Sequence, residues 1–147
     1  MAKRITEYAR EHMHELDPTV VTRNVMVPLW SQDPSVLVLA MVNTEGTVVG
    51  HAVAAINSDG VNSWLNVTQT QADGAVGDAV KRSLDFARQW AQGEINGLLT
   101  AVGRKPVSRM CLVTGKNEKA WEREFGFKLE RRVLALALDG EESTSVE

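Results

Sequence analysis

The chain has 147 residues, 44% hydrophobic and 24% charged, a balance that suits an ordinary folded domain and excludes a disordered tract. A chain of this size buries roughly 68–70% of the surface its unfolded form exposes, so its core needs no metal or disulfide staple. Sixteen Lys and Arg against nineteen Asp and Glu leave a net charge of -3, which disfavours a broad phosphate-neutralising surface and nucleic acid as a partner.

One cysteine, Cys111, cannot close an internal disulfide, and three histidines without clustered ligands point to no metal site. His12 and His14 stand two apart on a helical stretch and face different ways. The apolar runs 36–42 and 133–138 fall well short of the ~20 residues of a membrane span, and charges stand where a signal peptide would be apolar. The expectation is a cytoplasmic protein with no membrane association.

Ile5, Tyr8, Ala9, His12, Met13 and Leu16 recur at three- and four-residue spacing, which predicts a helix ended by Asp17-Pro18. The segment 20–29 suits helix or strand, with Pro28 limiting its end. Residues 36–42 and 47–56, joined by Asn43-Thr44-Glu45-Gly46, read as antiparallel strands. A turn at Ser58-Asp59-Gly60 leads to a third strand over 63–70, giving a meander. Val76, Val80, Leu84, Ala87 and Ala91 form the clearest helical stripe, over 76–92. Residues 93–106 fit no element clearly. A strand over 109–114, with Cys111 as an inert buried thiol, then a helix over 118–124 stopped by Gly126 and a strand over 133–138, complete a single domain, 1–138. The acidic tail 139–147 reads as disordered.

This element order resembles the Gcn5-related N-acetyltransferase (GNAT) superfamily over most of the chain. Three patches carry the likeness: Thr47 to Ala52 for the third strand, Trp64 to Thr70 with Gly74 and Gly77 for the fourth strand and pyrophosphate turn, and Trp121 to Phe127 for the helix ending in Gly-Phe. The resemblance implies an α+β fold with a mixed, mostly antiparallel sheet and helices on both faces. It also implies acetyl-CoA as cofactor, held by Val67, Thr68, Gln71, Gly74 and Gly77, and an amine as acetyl acceptor. Backbone amides at the turn and the following helix N-terminus would cradle the pyrophosphate.

The family's pattern of Gln or Arg, two residues, Gly, one residue, then Gly or Ala meets Gln71 and Gly74 but Val76 at its last position. Asp73 adds a negative charge beside it. The other reading is a plain strand-to-helix turn capped by Asp73 or Asp78. Four residues before Gly126, where many members carry a proton-donating Tyr, stands Glu122, and the family's Asn falls at Gly115, with Asn117 two residues later. The only tyrosine is Tyr8. No catalytic residue is assigned: Glu45, His51, Glu122 and Glu124 read as solvated or locally paired groups.

The incomplete signature is also similar to small GNAT-like virion proteins of short-tailed bacteriophages, chiefly over 63–68 and 113–115. The expected function is a non-catalytic module for assembly or a virion, working through protein partners or as a homo-oligomer; the alternative is an acetyl-CoA-dependent N-acetyltransferase acting on an amine. Trp30, Trp64, Trp90 and Trp121 are expected as core or interface anchors.

Overall fold

The structure, a computed structural model, describes residues 1–74, 78–112, 118–128 and 136. The chain divides into two compact units, Met1–Leu112 and Val113–Glu147.

In the first unit, α1 (Ala2–His12) ends at His12, four residues short of the expected Leu16, with Met13 as its C-cap, and Leu16 is exposed. Asp17-Pro18 does not close α1; it opens α2 (Pro18–Trp30). The Asp17 carboxylate accepts the Thr19 N–H at 2.8 Å and Pro18 takes the first helical turn, where its missing N–H costs nothing. The ambiguous segment is therefore helix, and it stops two residues past Pro28.

Strands β1 (Val36–Val42), β2 (Val48–Ser58) and β3 (Ser63–Ala72) form the expected antiparallel meander. Its turns are built by side chains: Asn43 Oδ1 accepts the Glu45 and Thr47 N–H groups, and Asp59 Oδ1 accepts those of Val61 and Asn62. A short strand, β4 (Met110–Leu112), joins parallel to β3, giving the order β1-β2-β3-β4. Cys111 on β4 is only half-buried, not sequestered as expected.

Alternation along the strands splits the core between two faces. Val38 and Val53 meet Ile5, Val25 and Met26 of α1 and α2. Leu37, Leu39, Ala52, Ala54 and Val67 face Ser83, Leu84 and Ala87 of α3 (Ala79–Trp90). The fold is thus α+β, a mixed and mostly antiparallel sheet with helices on both faces. The unassigned stretch after α3 is largely helical: a π turn at Ala91–Ile95 runs into α4 (Asn96–Ala101), burying Ile95 and leaving Leu98 and Val102 exposed.

The second unit contains α5 (Glu118–Phe125), stopped as expected by Gly126 at φ +74°, whose N–H reaches the Glu122 carbonyl at 3.2 Å. The Trp121 ring packs on Phe125 and Phe127, with centroids 5.0 and 5.8 Å away. The expected strand over 133–138, apart from Leu136, and the tail 139–147 lie outside the described residues.

Two substitutions test this packing. Leu84, 5% exposed, becomes an unpaired buried charge in Leu84→Asp, which is expected to cost several kcal/mol. A Cβ at Gly50 would lie 2.5 Å from the Gln71 carbonyl oxygen and 2.5 Å from Met41 Sδ. Gly50→Ala should therefore cost about 1–3 kcal/mol through overpacking. Urea denaturation measures both; a midpoint unchanged from wild type would contradict the placement of the residue concerned.

Candidate functional site

The site is built on β3. Over 65–67 this strand pairs on both sides, with β2 and with residues 110–112 of β4, and the Leu65 N–H donates to the Arg109 carbonyl at 3.0 Å. Residues 69–72 pair with β2 alone among the described residues. The change of pairing coincides with a β-bulge. Val53 stands opposite Gln69 and Ala54 opposite Val67, so Thr68 is the extra residue, and its hydroxyl donates to the Val53 carbonyl at 3.3 Å. Beyond Val67 the outer edge of β3 thus carries backbone groups with no partner strand among the described residues.

The ladder to β2 runs on to the Asp73 N–H, which donates to the Val49 carbonyl at 2.7 Å. The chain then bends at Gly74, at φ +61° and with open space where a side chain would stand. Asp73, expected to repel an anion, is matched by Arg4 of α1: Nη1 donates to Oδ2 at 3.0 Å and Nη2 to Oδ1 at 2.8 Å. That fork holds the Asp73 carboxyl below the usual carboxylate range, its hydrogen bonds from Arg4 outweighing desolvation. Asp78 stands at the start of α3, but its side chain caps no amide and pairs with Arg82 at 3.1 Å.

Behind this edge lies a buried polar group under α1. His51 is fully buried on β2; its Nε2 is 2.9 Å from Gln69 Oε1, and its Nδ1 has no partner. The Tyr8 ring meets it edge-on at 5.6 Å, and the Tyr8 hydroxyl bonds the Thr70 backbone. Burial raises the Tyr8 pKa and lowers that of His51, so both are held neutral. His51 is thus a locally paired core group. Thr70 Oγ1 is also buried without a partner among the described residues.

Of the residues expected at the cofactor, Val67, Thr68, Gln71 and Gly74 fall together along the end of β3 and its bend; Gly77 lies outside the described residues, as do Val76, Gly115 and Asn117. Glu122 is exposed on α5. Arg4, Tyr8 and Thr70 were not singled out for the site. Arg4 and Asp73 are 69 positions apart, and no local pattern links them. Among the described residues no group of three or more His, Cys, Asp or Glu could hold a metal, and no helix is long and apolar enough to cross a membrane.

No protein-family model matches the chain, and no curated protein matches it in sequence. Solved structures do. A predicted acetyltransferase from Clostridium acetobutylicum, solved with acetyl-CoA, superposes with a TM-score of 0.68 at 13% identity, covering 97% of this chain and 96% of that one. The fold is the GNAT acetyltransferase fold. A ribosomal-protein-alanine N-acetyltransferase from Brucella melitensis biovar Abortus 2308 superposes with a TM-score of 0.58 at 10% identity, covering 93% of each chain. At such identities the GNAT likeness is one of backbone path, and the chemistry has to be argued from this chain's own residues.

The neutral His51 gives the fold a pH dependence. Unfolded, the ring charges near pH 6.5; folded, burial delays that, so below about pH 6.5 the unfolded chain binds more protons and stability falls. Urea midpoints at pH 7.5 and 5.5 should drop more steeply for wild type than for His51→Gln. Equal drops would mean that the ring is not held neutral.

Proposed function

We propose that the protein binds acetyl-CoA along the outer edge of β3 and transfers the acetyl group to an amine. The carrying observation is the Thr68 bulge in β3, beyond which the strand pairs with β2 alone among the described residues. An extended chain with amide groups, such as a pantetheine arm, can add to that edge as a strand would. The unpartnered Thr70 hydroxyl fits a polar guest. The bend at Gly74 lets backbone come close to a pyrophosphate, and Arg4 offsets the charge of Asp73 there.

Bound acetyl-CoA would supply an activated acyl thioester. The chain's part is to orient it and the acceptor, which by itself removes much of the barrier of a two-body reaction. With Glu122 in place of the family's tyrosine and His51 sealed in the core, the acceptor amine would attack the thioester carbonyl, the C–S bond would break, the amine proton would pass to solvent and the CoA thiolate would take its proton from solvent.

The second reading is a non-catalytic module that acts in assembly, as a homo-oligomer or with protein partners, in the cytoplasm or as a phage virion component. Its support is Trp30, 72% exposed at the end of α2 beside exposed Val27 and Leu29, since a large amphipathic ring at the surface is a good interface anchor.

Titration calorimetry with acetyl-CoA, read together with the melting temperature, decides between the two. Binding at micromolar concentration with a rise in melting temperature is expected; no heat and no shift at millimolar ligand would reject the first reading. Light scattering checks the second, for which a monomer at micromolar concentration, unchanged by Trp30→Ser, is the contrary result.

A further inference from the structure

The Arg4–Asp73 pair joins the start of α1 to the residue before the Gly74 bend. Its geometry is a two-bond fork. Both oxygens of the carboxylate are taken by the two terminal nitrogens of one guanidinium, a planar fork that lysine cannot reproduce. The Arg4 side chain is 22% exposed and that of Asp73 55%, so the cation is largely lodged against the protein while the carboxylate still meets water. Arg4 Nε is buried and unpartnered, so the fork points at Asp73 and makes no second hydrogen bond among the described residues.

A carboxylate at this place opposes the chemistry proposed for the bend. A phosphate approaching the Gly74 backbone would meet the Asp73 charge, and at a partly desolvated surface like charges a few ångströms apart repel appreciably. Replacing Arg4 would leave that charge bare and free the residue before the bend from α1.

We propose that Arg4 is a positioning residue for the phosphates of the acyl-CoA. By pinning and neutralising Asp73, it turns the bend after β3 from an anion-repelling surface into one that an anionic ligand can approach. The inference rests on the proposed acetyl-CoA reading, and it concerns a contact with Asp73, not with the ligand. Discrimination between phosphorylated and unphosphorylated thioesters would then depend on a residue 69 positions away in sequence.

The test is a double-mutant cycle read by calorimetry with two ligands, acetyl-CoA and acetyl-pantetheine, which lacks the phosphates. Arg4→Gln is expected to weaken acetyl-CoA by about tenfold and leave acetyl-pantetheine unchanged, because only the phosphates feel the bared charge. Asp73→Asn alone should not weaken acetyl-CoA, and the pair Arg4→Gln with Asp73→Asn should regain most of the loss. Arg4→Lys, which keeps the charge without the fork, should fall between wild type and Arg4→Gln; melting temperatures establish that each variant is folded. The inference is overturned if Arg4→Gln binds acetyl-CoA as wild type does, if both ligands weaken alike, or if Asp73→Asn fails to restore binding. If wild type binds no acetyl-CoA, the functional reading falls and takes this inference with it; wild-type binding with an indifferent Arg4→Gln removes the inference alone.

Discussion

The constraint on which this structure turns is the bulge at Thr68, where β3 gains one residue over β2. Over 65–67 β3 is hydrogen-bonded on both sides, and beyond the Thr68 bulge it is held by β2 alone among the described residues. A bulge adds a residue to one strand without shifting the other, so it redirects the chain while the β2 ladder continues to Asp73. The same backbone therefore supplies a rigid support on its β2 side and peptide groups that face away from β2. Backbone groups left this way need a partner, whether water or a ligand, which is why the end of β3 is the place to look for function.

What keeps that edge in place is the face beneath α1. Ile5 and Ala9 are fully buried against the sheet, and Arg4, Tyr8 and the His51–Gln69 pair add polar ties at the Gly74 end of β3. The apolar contacts hold the helix down without regard to direction, while the hydrogen bonds fix its register. Gly50 belongs to the same arrangement: with the Gln71 carbonyl and Met41 crowding the position of its missing side chain, β2 and β3 approach there as only glycine allows. On the other face, α3 seals the sheet with Leu84 and Ala87.

The sequence was legible where local periodicity carries the physics. The alternation in β1, β2 and β3, the Asn43 and Asp59 turns, the stripe of α3 and the Gly126 stop are each set by residues within a few positions of one another, and each lies close to where the pattern puts it. It misled at Asp17-Pro18, because proline closes one helix and opens the next with the same chemistry, and only the Thr19 amide on Asp17 tells which. Within the unassigned 93–106, residues 93–101 continue as helix although Gly93 and Gly97 interrupt the pattern, with buried Ile95 as their anchor. The placing of Val67, Thr68, Gln71 and Gly74 came from resemblance; that they lie along one strand end follows from the fold.

By itself, then, the sequence determined the α+β class, the three-strand meander and the helix packed on it, since these depend on spacing along the chain. Only the tertiary structure decided where the bulge falls in β3, that Tyr8 and His51 meet between α1 and the sheet, and that Asp73 is answered by Arg4. Those facts depend on pairs of residues tens of positions apart. Their encounter is fixed by the packing of whole elements, and a linear pattern holds no record of it.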